Sequence, residues 1–413
     1  MTLVVQKFGG TSVGGTDRID AVAERVLAAR DAGREVVVVV SAMAGETDRL
    51  LGLARAISTH GRPNPRELDV LLATGEQVTI ALLCMALEKR GITARSFTGR
   101  QAGIVTDSGH TRARILEIRG EALLEEIRHG RVPVVAGFQG VDAAGNITTL
   151  GRGGSDTTAV AIAAALRADE CQIHTDVSGV YTTDPRIEPN ARRLERISYE
   201  EMLELAGQGS KVLQIRSVEF ASRYKVPVRV LSTFESGAGT LIAEGNGTVE
   251  APEIVGIASS RDEAELRVSA PSAELLPGMI GALAGSRIEI DLIVQNLAVD
   301  GSANVTFTVS RQDYDQAREI LAHFFRASDV RIEGDSRVAK VSVIGNGIRA
   351  QRADVAARML GALAREGIVA RQIATSQIRI SVVVRETEME RAVRALHHEF
   401  GLQHAVTGRE ANA

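Results

Sequence analysis

The first half of the chain alternates short apolar runs with stretches of helical periodicity. Leu3–Gln6, Glu35–Ser41, Val132–Gly137 and Glu170–Thr175 read as strands, and Asp17–Ala32 and Ser155–Arg167 as helices, with a long helix inside Pro65–Arg90. The Val/Ile runs are continuous rather than alternating, which predicts strands buried on both faces. The expected fold is α/β: a three-layer sandwich around a mostly parallel sheet, over roughly residues 1–232, with the domain boundary drawn at 234. A Gly/Glu-rich stretch follows and reads as a linker, 235–252.

The remainder carries an internal repeat. Met279-Ile-Gly-Ala-Leu-Ala284 recurs as Met359-Leu-Gly-Ala-Leu-Ala364. Each copy is preceded by a strand (Glu265–Ser269; Lys340–Ile344) and followed by two strands and a second helix. Two β-α-β-β-α-β units of the ferredoxin-like kind are expected, at 253–334 and 335–413. Their free sheet edges predict a homo-oligomer.

Composition narrows the class. The chain has 413 residues, 24% of them charged, with a net charge of −4, which gives no reason to expect nucleic acid or an anionic membrane as partner. Its longest apolar runs, Ile80–Leu87 and Ala159–Leu166, are too short to span a bilayer, and no leader pattern opens the chain, so a cytoplasmic protein is expected. Two cysteines, Cys84 and Cys171, lie in apolar surroundings and read as small buried hydrophobes. Only five of the 48 basic residues are lysine: Lys7, Lys89, Lys211, Lys225 and Lys340. A chain that writes Arg nearly everywhere draws attention to the lysines it keeps.

Two of those lysines sit in glycine motifs. Lys7-Phe-Gly-Gly-Thr-Ser12 joins the first strand to the first helix. Gly9 and Gly10 let backbone N–H groups approach an anion, and the helix N-terminus and Lys7 add positive charge. A strand–Gly-Gly–helix turn read alone is more often only a tight turn; with Lys7 before it and Thr-Ser after it, the segment reads as a phosphate cradle without P-loop spacing. Thr148-Thr-Leu-Gly-Arg-Gly-Gly-Ser-Asp-Thr-Thr158 runs into an apolar helix. Ser155 or Asp156 could be a plain N-cap, but Arg152 suits a bidentate grip on a carboxylate, and Asp156 could orient Lys7 or a metal ion. In Thr175-Asp-Val-Ser-Gly-Val-Tyr-Thr-Thr-Asp-Pro-Arg186, Asp176 and Asp184 are candidates for ribose hydroxyls or Mg²⁺, Tyr181 for the base and Arg186 for a phosphate; a polar turn is the alternative. Gly209-Ser-Lys211 offers another cationic contact. Glu76, in an apolar helix, needs a cation if buried: a substrate ammonium or an internal arginine.

Together these segments, with Ser41-Ala-Met43 and Thr74-Gly-Glu76, resemble the signature set of aspartokinases, in the amino-acid kinase superfamily. The resemblance spans essentially the whole chain and is to the short monofunctional bacterial type, whose two C-terminal repeats are ACT domains that exchange a strand; Ile254–Ala258 would then belong to the second. It implies ATP-dependent phosphorylation of the β-carboxylate of L-aspartate, leading towards lysine, threonine and methionine. It further implies that Lys7 with Gly9 and Gly10 faces the transferring phosphoryl and that Asp156 orients Lys7. Thr47, Glu76, Arg152 and Ser155 would hold aspartate, and Thr175, Asp176, Tyr181, Asp184, Arg186 and Lys211 would hold MgATP. Two other readings stay open at this level: an amino-acid sensor on a dead kinase fold, and a kinase of another acidic amino acid.

The repeats depart from that family where effectors bind. The usual Asp-x-Pro-Gly loop corresponds to Pro271-Ser-Ala-Glu274, and a Thr-Thr-Asp segment to Ser302-Ala-Asn304. In the second repeat, a His-x-Gly-like turn has become Arg352-Ala-Asp354, and Ser-Glu-Ile has become Ser376-Gln-Ile378. A Pro277-Gly278 pair follows one helical turn later, so a shifted loop stays open. The expectation is an intact kinase with feedback by lysine and threonine that is weak, absent or retuned.

Overall fold

The computed structural model describes residues 2–210, 212–245, 254–299, 301–326 and 330–404. The chain forms two compact units. The first takes in residues 1–180, 193–206 and 211–247; the second takes in 181–192, 207–210 and 248–413.

The first unit is built on an eight-stranded sheet. Its strands are β1 (Leu3–Phe8), β2 (Glu35–Val40), β3 (Ala94–Phe97), β6 (Val132–Ala136), β9 (Glu170–Thr175), β10 (Arg196–Ser198), β11 (Val228–Ser232) and β12 (Thr240–Ala243), in the order β10-β12-β11-β9-β1-β2-β6-β3. All neighbours pair in parallel except β11 with β12. Helices α1 (Thr16–Asp31) and α4 (Thr74–Glu88) cover one face, where Val22, Val26, Ile80 and Leu83 meet Val4, Phe8, Val36, Val38 and Val134. Helix α6 (Gly154–Leu166) packs on β1 and β9 from the other face, beside α8 (Ile215–Tyr224). Residues of opposite parity on one strand, such as Val36 and Val37, are therefore both buried. That two-sided burial is why these strands are uniformly apolar.

Four very short strands make a second sheet, in the order β5 (Ile115–Ile118), β4 (Ile104–Thr106), β7 (Gln139–Val141), β8 (Ile147–Thr149). The expected long helix at 65–90 is two helices, α3 (Pro65–Leu72) and α4. Gln139 Nε2 donates to the Ala73 carbonyl at the break between them (2.8 Å). Pro65–Glu88 has the length and apolarity of a membrane span, but its apolar side lies in the core just described. Part of the expected linker is also structured: Thr240–Ala243 is β12, whose Thr240 and Ile242 are buried between β10 and β11. The Gly/Glu-rich composition around this run hid a strand only four residues long.

In the second unit, six strands form one sheet in the order β14-β15-β13-β16-β18-β17. Strand β13 (Gly256–Ala270) and strand β16 (Arg331–Ile344) are long and pair antiparallel with each other. Between them in sequence come β14 (Ile290–Leu297) and β15 (Ala303–Val309); β17 (Gln372–Thr375) and β18 (Arg379–Arg385) follow. The later part of β13 lies over one core, with Leu266 and Val268 against Met279, Leu283 and Phe307. Its earlier part lies over the other: Ile257 packs with Val343, Met359 and Leu363, and Val255 N–H donates to the Ile344 carbonyl. After the last helix (Met389–Glu399), the described residues form a turn, not the closing strand expected of the second repeat. The strand beside β16 in that half is Gly256–Ser260.

Candidate active site

The carboxyl ends of β9, β1, β2 and β6 are drawn together, which is where an open parallel sheet presents ligands. Ser41 N–H donates to the Phe8 carbonyl (3.1 Å), Gly137 N–H to the Val40 carbonyl (3.0 Å) and Gly9 N–H to the His174 carbonyl (3.2 Å). Beyond the strands, Ala44 N–H donates to the Gly10 carbonyl (3.1 Å). A Cβ on Gly10 would lie 3.0 Å from the Ala42 carbonyl oxygen, so any larger residue would press the two loops apart by a few tenths of an ångström.

Lys7 is buried near the end of β1, its Nζ 2.6 Å from Asp156 Oδ1. Asp156 lies in the first turn of α6, and Ser155 beside it is buried against Gly137. Helix α6 starts after Gly153, whose φ is +69° and whose Cβ would stand 2.1 Å from Gln214 Cγ. Lysine charge and helix N-terminus therefore come together, the combination that favours an anion. Arg152 is exposed in the loop before this helix, and Thr47 is exposed in the first turn of α2 (Glu46–Ile57).

Glu76 is 3% exposed in the first turn of α4. Its Oε1 accepts from Ala42 N–H (3.0 Å), while Oε2 has no hydrogen-bond partner among the described residues. No arginine pairs with it there. Burial pushes its carboxyl up to about 7, with the Ala42 N–H opposing the shift. A buried carboxylate with one open oxygen is arranged to receive a cation.

The end of β9 brings the remaining first-unit candidates. Thr175 is half-buried and Asp176 exposed, with Thr175 Oγ1 donating to Asp176 Oδ1 (3.1 Å). The structure groups Tyr181, Asp184 and Arg186 with the second unit, although the domain expected at 1–234 included them. The reason is local packing: Thr182 Oγ1 lies 2.9 Å from His397 Nε2, its carbonyl accepts from Ile257 N–H, and Ile187 packs on the second-repeat core. There Asp184 accepts from Arg186 N–H, Nε and Nη2, and the Arg186 side chain is 84% exposed. Lys211 lies outside the described residues.

Sequence reasoning missed Asp69. This fully buried carboxylate on α3 accepts from Thr149 Oγ1 (2.6 Å) and Thr111 N–H (3.0 Å), with His110 Nδ1 at 2.7 Å. Arg216 donates to the carbonyls of Leu150 and Ala113 (2.8 Å each). These two residues hold the strand and loop that lead to Arg152 and Ser155. The available signal was an acid on the buried side of an amphipathic helix.

Comparisons with known proteins bear on the fold and the family. Residues 2–232 match the Amino acid kinase family and residues 341–400 an ACT domain. An aspartokinase of Pseudomonas aeruginosa is 57% identical over 410 residues, covering 97% of this chain and 98% of the relative. E. coli aspartokinase III solved with aspartate and ADP superposes with a TM-score of 0.78 at 28% identity, covering 96% of this chain and 99% of that one. The same enzyme solved with lysine and aspartate gives 0.75 at 28% identity, with the same coverage. By full-length identity, domain content and fold, the chain belongs to the aspartate kinase family of amino acid kinases.

Proposed function

We propose that the chain transfers the γ-phosphoryl group of ATP to the β-carboxylate of L-aspartate, giving 4-phospho-L-aspartate and ADP. The observation that carries the reading is the buried Lys7–Asp156 ion pair at the start of α6, on a sheet whose neighbouring loop holds the open carboxylate of Glu76. The lysine, its orienting acid and an acid for a substrate ammonium are all retained, which disfavours a dead kinase serving only as a sensor.

The substrate carboxylate is already ionised at neutral pH and is itself the nucleophile. No side chain has to remove a proton, and no covalent enzyme intermediate is required. Catalysis is positioning and charge stabilisation. Lys7, with the Gly9 and Gly10 backbone, neutralises charge on the γ-phosphoryl oxygens as the bond to the β-phosphate breaks. Asp156 holds the Lys7 ammonium in place. Glu76 takes the aspartate ammonium and Arg152 its α-carboxylate, with Thr47 and Ser155 as hydroxyl contacts. Thr175 and Asp176 face the nucleotide. Among the described residues no three His, Cys, Asp or Glu side chains converge as a metal cage. Mg²⁺ ordinarily rides on substrate phosphates with one or two carboxylates; Asp156 would be the carboxylate here, and the ion would supply further charge neutralisation. We place the enzyme in the cytoplasm, as a homo-oligomer joined through its ACT repeats.

The test is ADP release with aspartate, glutamate and acetylglutamate compared side by side. Turnover confined to aspartate is expected; equal turnover with glutamate, or none with aspartate, would overturn the reading.

A further inference from the structure

On the face of β1 opposite Lys7, a groove of about 530 Å³ runs along the strands from the starts of β9 and β11 to their carboxyl ends. Its walls are the last turns of α1 and the segment 235–238, and its floor is the face of β1, β9 and β11 beside α1. A bare sheet face is ordinarily covered by apolar packing, but this floor is polar and still buried. Gln6, Gln172 and His174 are 3%, 5% and 4% exposed. A hydrogen-bonded ladder crosses the strands: Gln6 Nε2 donates to Gln172 Oε1 (3.0 Å), Gln172 Nε2 to Glu170 Oε1 (2.9 Å) and Arg229 Nε to Glu170 Oε2 (2.9 Å). The ladder stops at Gln6, whose Oε1 is buried with no partner among the described residues. Neither ring nitrogen of His174 meets hydrogen-bond geometry there either. Burial, with Arg25 nearby, holds this imidazole down to about 4 against an opposing contact with the Ser232 backbone, so it is neutral and keeps one ring nitrogen as an acceptor.

The rim supplies the opposite character. Glu170 neutralises Arg229. Arg25 is held only by backbone carbonyls, those of Thr233 (3.1 Å) and Glu235 (2.9 Å), and Arg34 is exposed; neither guanidinium has an ion-pair partner among the described residues. The groove thus combines unneutralised arginines at its mouth with unsatisfied acceptors on its floor. Unmet buried polar atoms are costly, and a ligand that meets them recovers that cost.

We propose that this groove is a second ligand site, for a free α-amino acid whose carboxylate lies on Arg25 and Arg34 and whose ammonium donates to Gln6 Oε1. The volume is ample for a metabolite of that size. A ligand there touches the catalytic strands from behind. Its contact residue His174 stacks on Phe8 (4.6 Å between ring centroids), and the His174 carbonyl holds Gly9 N–H, next to Lys7.

The test is calorimetric titration of the full chain with each common amino acid other than aspartate, and with inorganic phosphate. The same titrations are run on Arg34→Glu, an exposed change that leaves fold and basal turnover intact, and on Gln6→Met, which removes the floor acceptor at similar volume. At least one amino acid is expected to bind the wild type and to lose about tenfold or more in affinity in both variants. Two results would overturn the site: no amino acid whose affinity depends on Arg34 and Gln6, or inorganic phosphate binding equally well with the same dependence.

Discussion

Glu76 Oε1 lies 3.0 Å from the Ala42 amide nitrogen, so the loop after β2 fixes one oxygen of a carboxylate whose other oxygen is buried and open. The pair has a pH consequence. In the unfolded chain this group ionises near its ordinary 4.5; in the folded protein it does so at about 7. Between those values the unfolded chain has released a proton that the empty enzyme retains. The stability tied to this residue is therefore present below about pH 4.5 and lost as pH rises through about 7. Aspartate, bringing an ammonium, selects the ionised form. Its KM should fall as pH rises towards about 7 and then level off, while the KM for ATP moves little. In Glu76→Gln the aspartate KM should be high and lack this slope; an unchanged slope would remove Glu76 from the substrate site.

Lys7→Ala deletes the buried ammonium paired with Asp156. If that charge meets the γ-phosphoryl in the transition state, kcat should drop by about 10²–10³. A circular dichroism spectrum and melting curve like those of the wild type would show that the loss is not unfolding. More than half of wild-type turnover would end the assignment.

Arg152→Ala removes an exposed guanidinium on the loop before α6, so it should cost little stability. A rise in the aspartate KM is expected, with a smaller effect on ATP. A rise confined to ATP would reverse the assignment of the two substrates.

The ACT sheet ends on β14 at one side, and Ile293 and Leu297 on that strand are 49% and 64% exposed. An edge strand carrying exposed apolar side chains is a pairing surface. Light scattering at micromolar concentration should show a homo-oligomer, and Ile293→Lys with Leu297→Lys should shift it towards monomer. A monomeric wild type would contradict the proposal.

The sequence made the centre of the catalytic unit readable and left its margins obscure, for physical reasons. Strands such as β2 are buried on both faces, so Val36–Val40 had to be apolar, and the run stood out. The Lys7 motif was equally plain, because an anion site needs glycine and a cation in adjacent positions. Asp69 and His174 were not legible. Their work is done with Thr149, Thr111 and Phe8, partners set by the fold rather than by spacing. Strands of three residues, such as Ile104–Thr106, are too short to show a period. Strand β13 was read from the residues as two separate pieces, Glu265–Ser269 by pattern and Ile254–Ala258 only through the family resemblance, because it serves two cores, with a register shift between Ser260 and Glu265. Its apolar alternation breaks there.

That junction opens the first repeat, whose loops are expected to differ from those of the family. In the first repeat the loop after β13 is not the glycine-bearing turn that leaves amides free for an effector carboxylate. Ser272 caps a short 3-10 turn, Ala273–Leu275, by accepting from Glu274 N–H (3.2 Å), so that amide is already used. The Glu274 side chain is exposed on the same turn and brings a negative charge to a place where a carboxylate would have to bind. On the adjacent strand, Asn304 stands where the resemblance leads to the expectation of an acid for the effector ammonium, and its Oδ1 accepts from Ser269 Oγ (2.6 Å). We infer that both charges of an amino-acid effector lose their expected complement, while the Lys7, Asp156 and Glu76 arrangement is in place. At saturating aspartate and ATP, millimolar lysine and threonine, alone or together, should leave most of the activity. Replacing Pro271-Ser-Ala-Glu274 by Asp-Ser-Pro-Gly, with Asn304→Asp, should increase the inhibition without changing kcat in its absence. Strong concerted inhibition of the unaltered enzyme at or below millimolar effector would show that a different loop geometry binds the usual ligands.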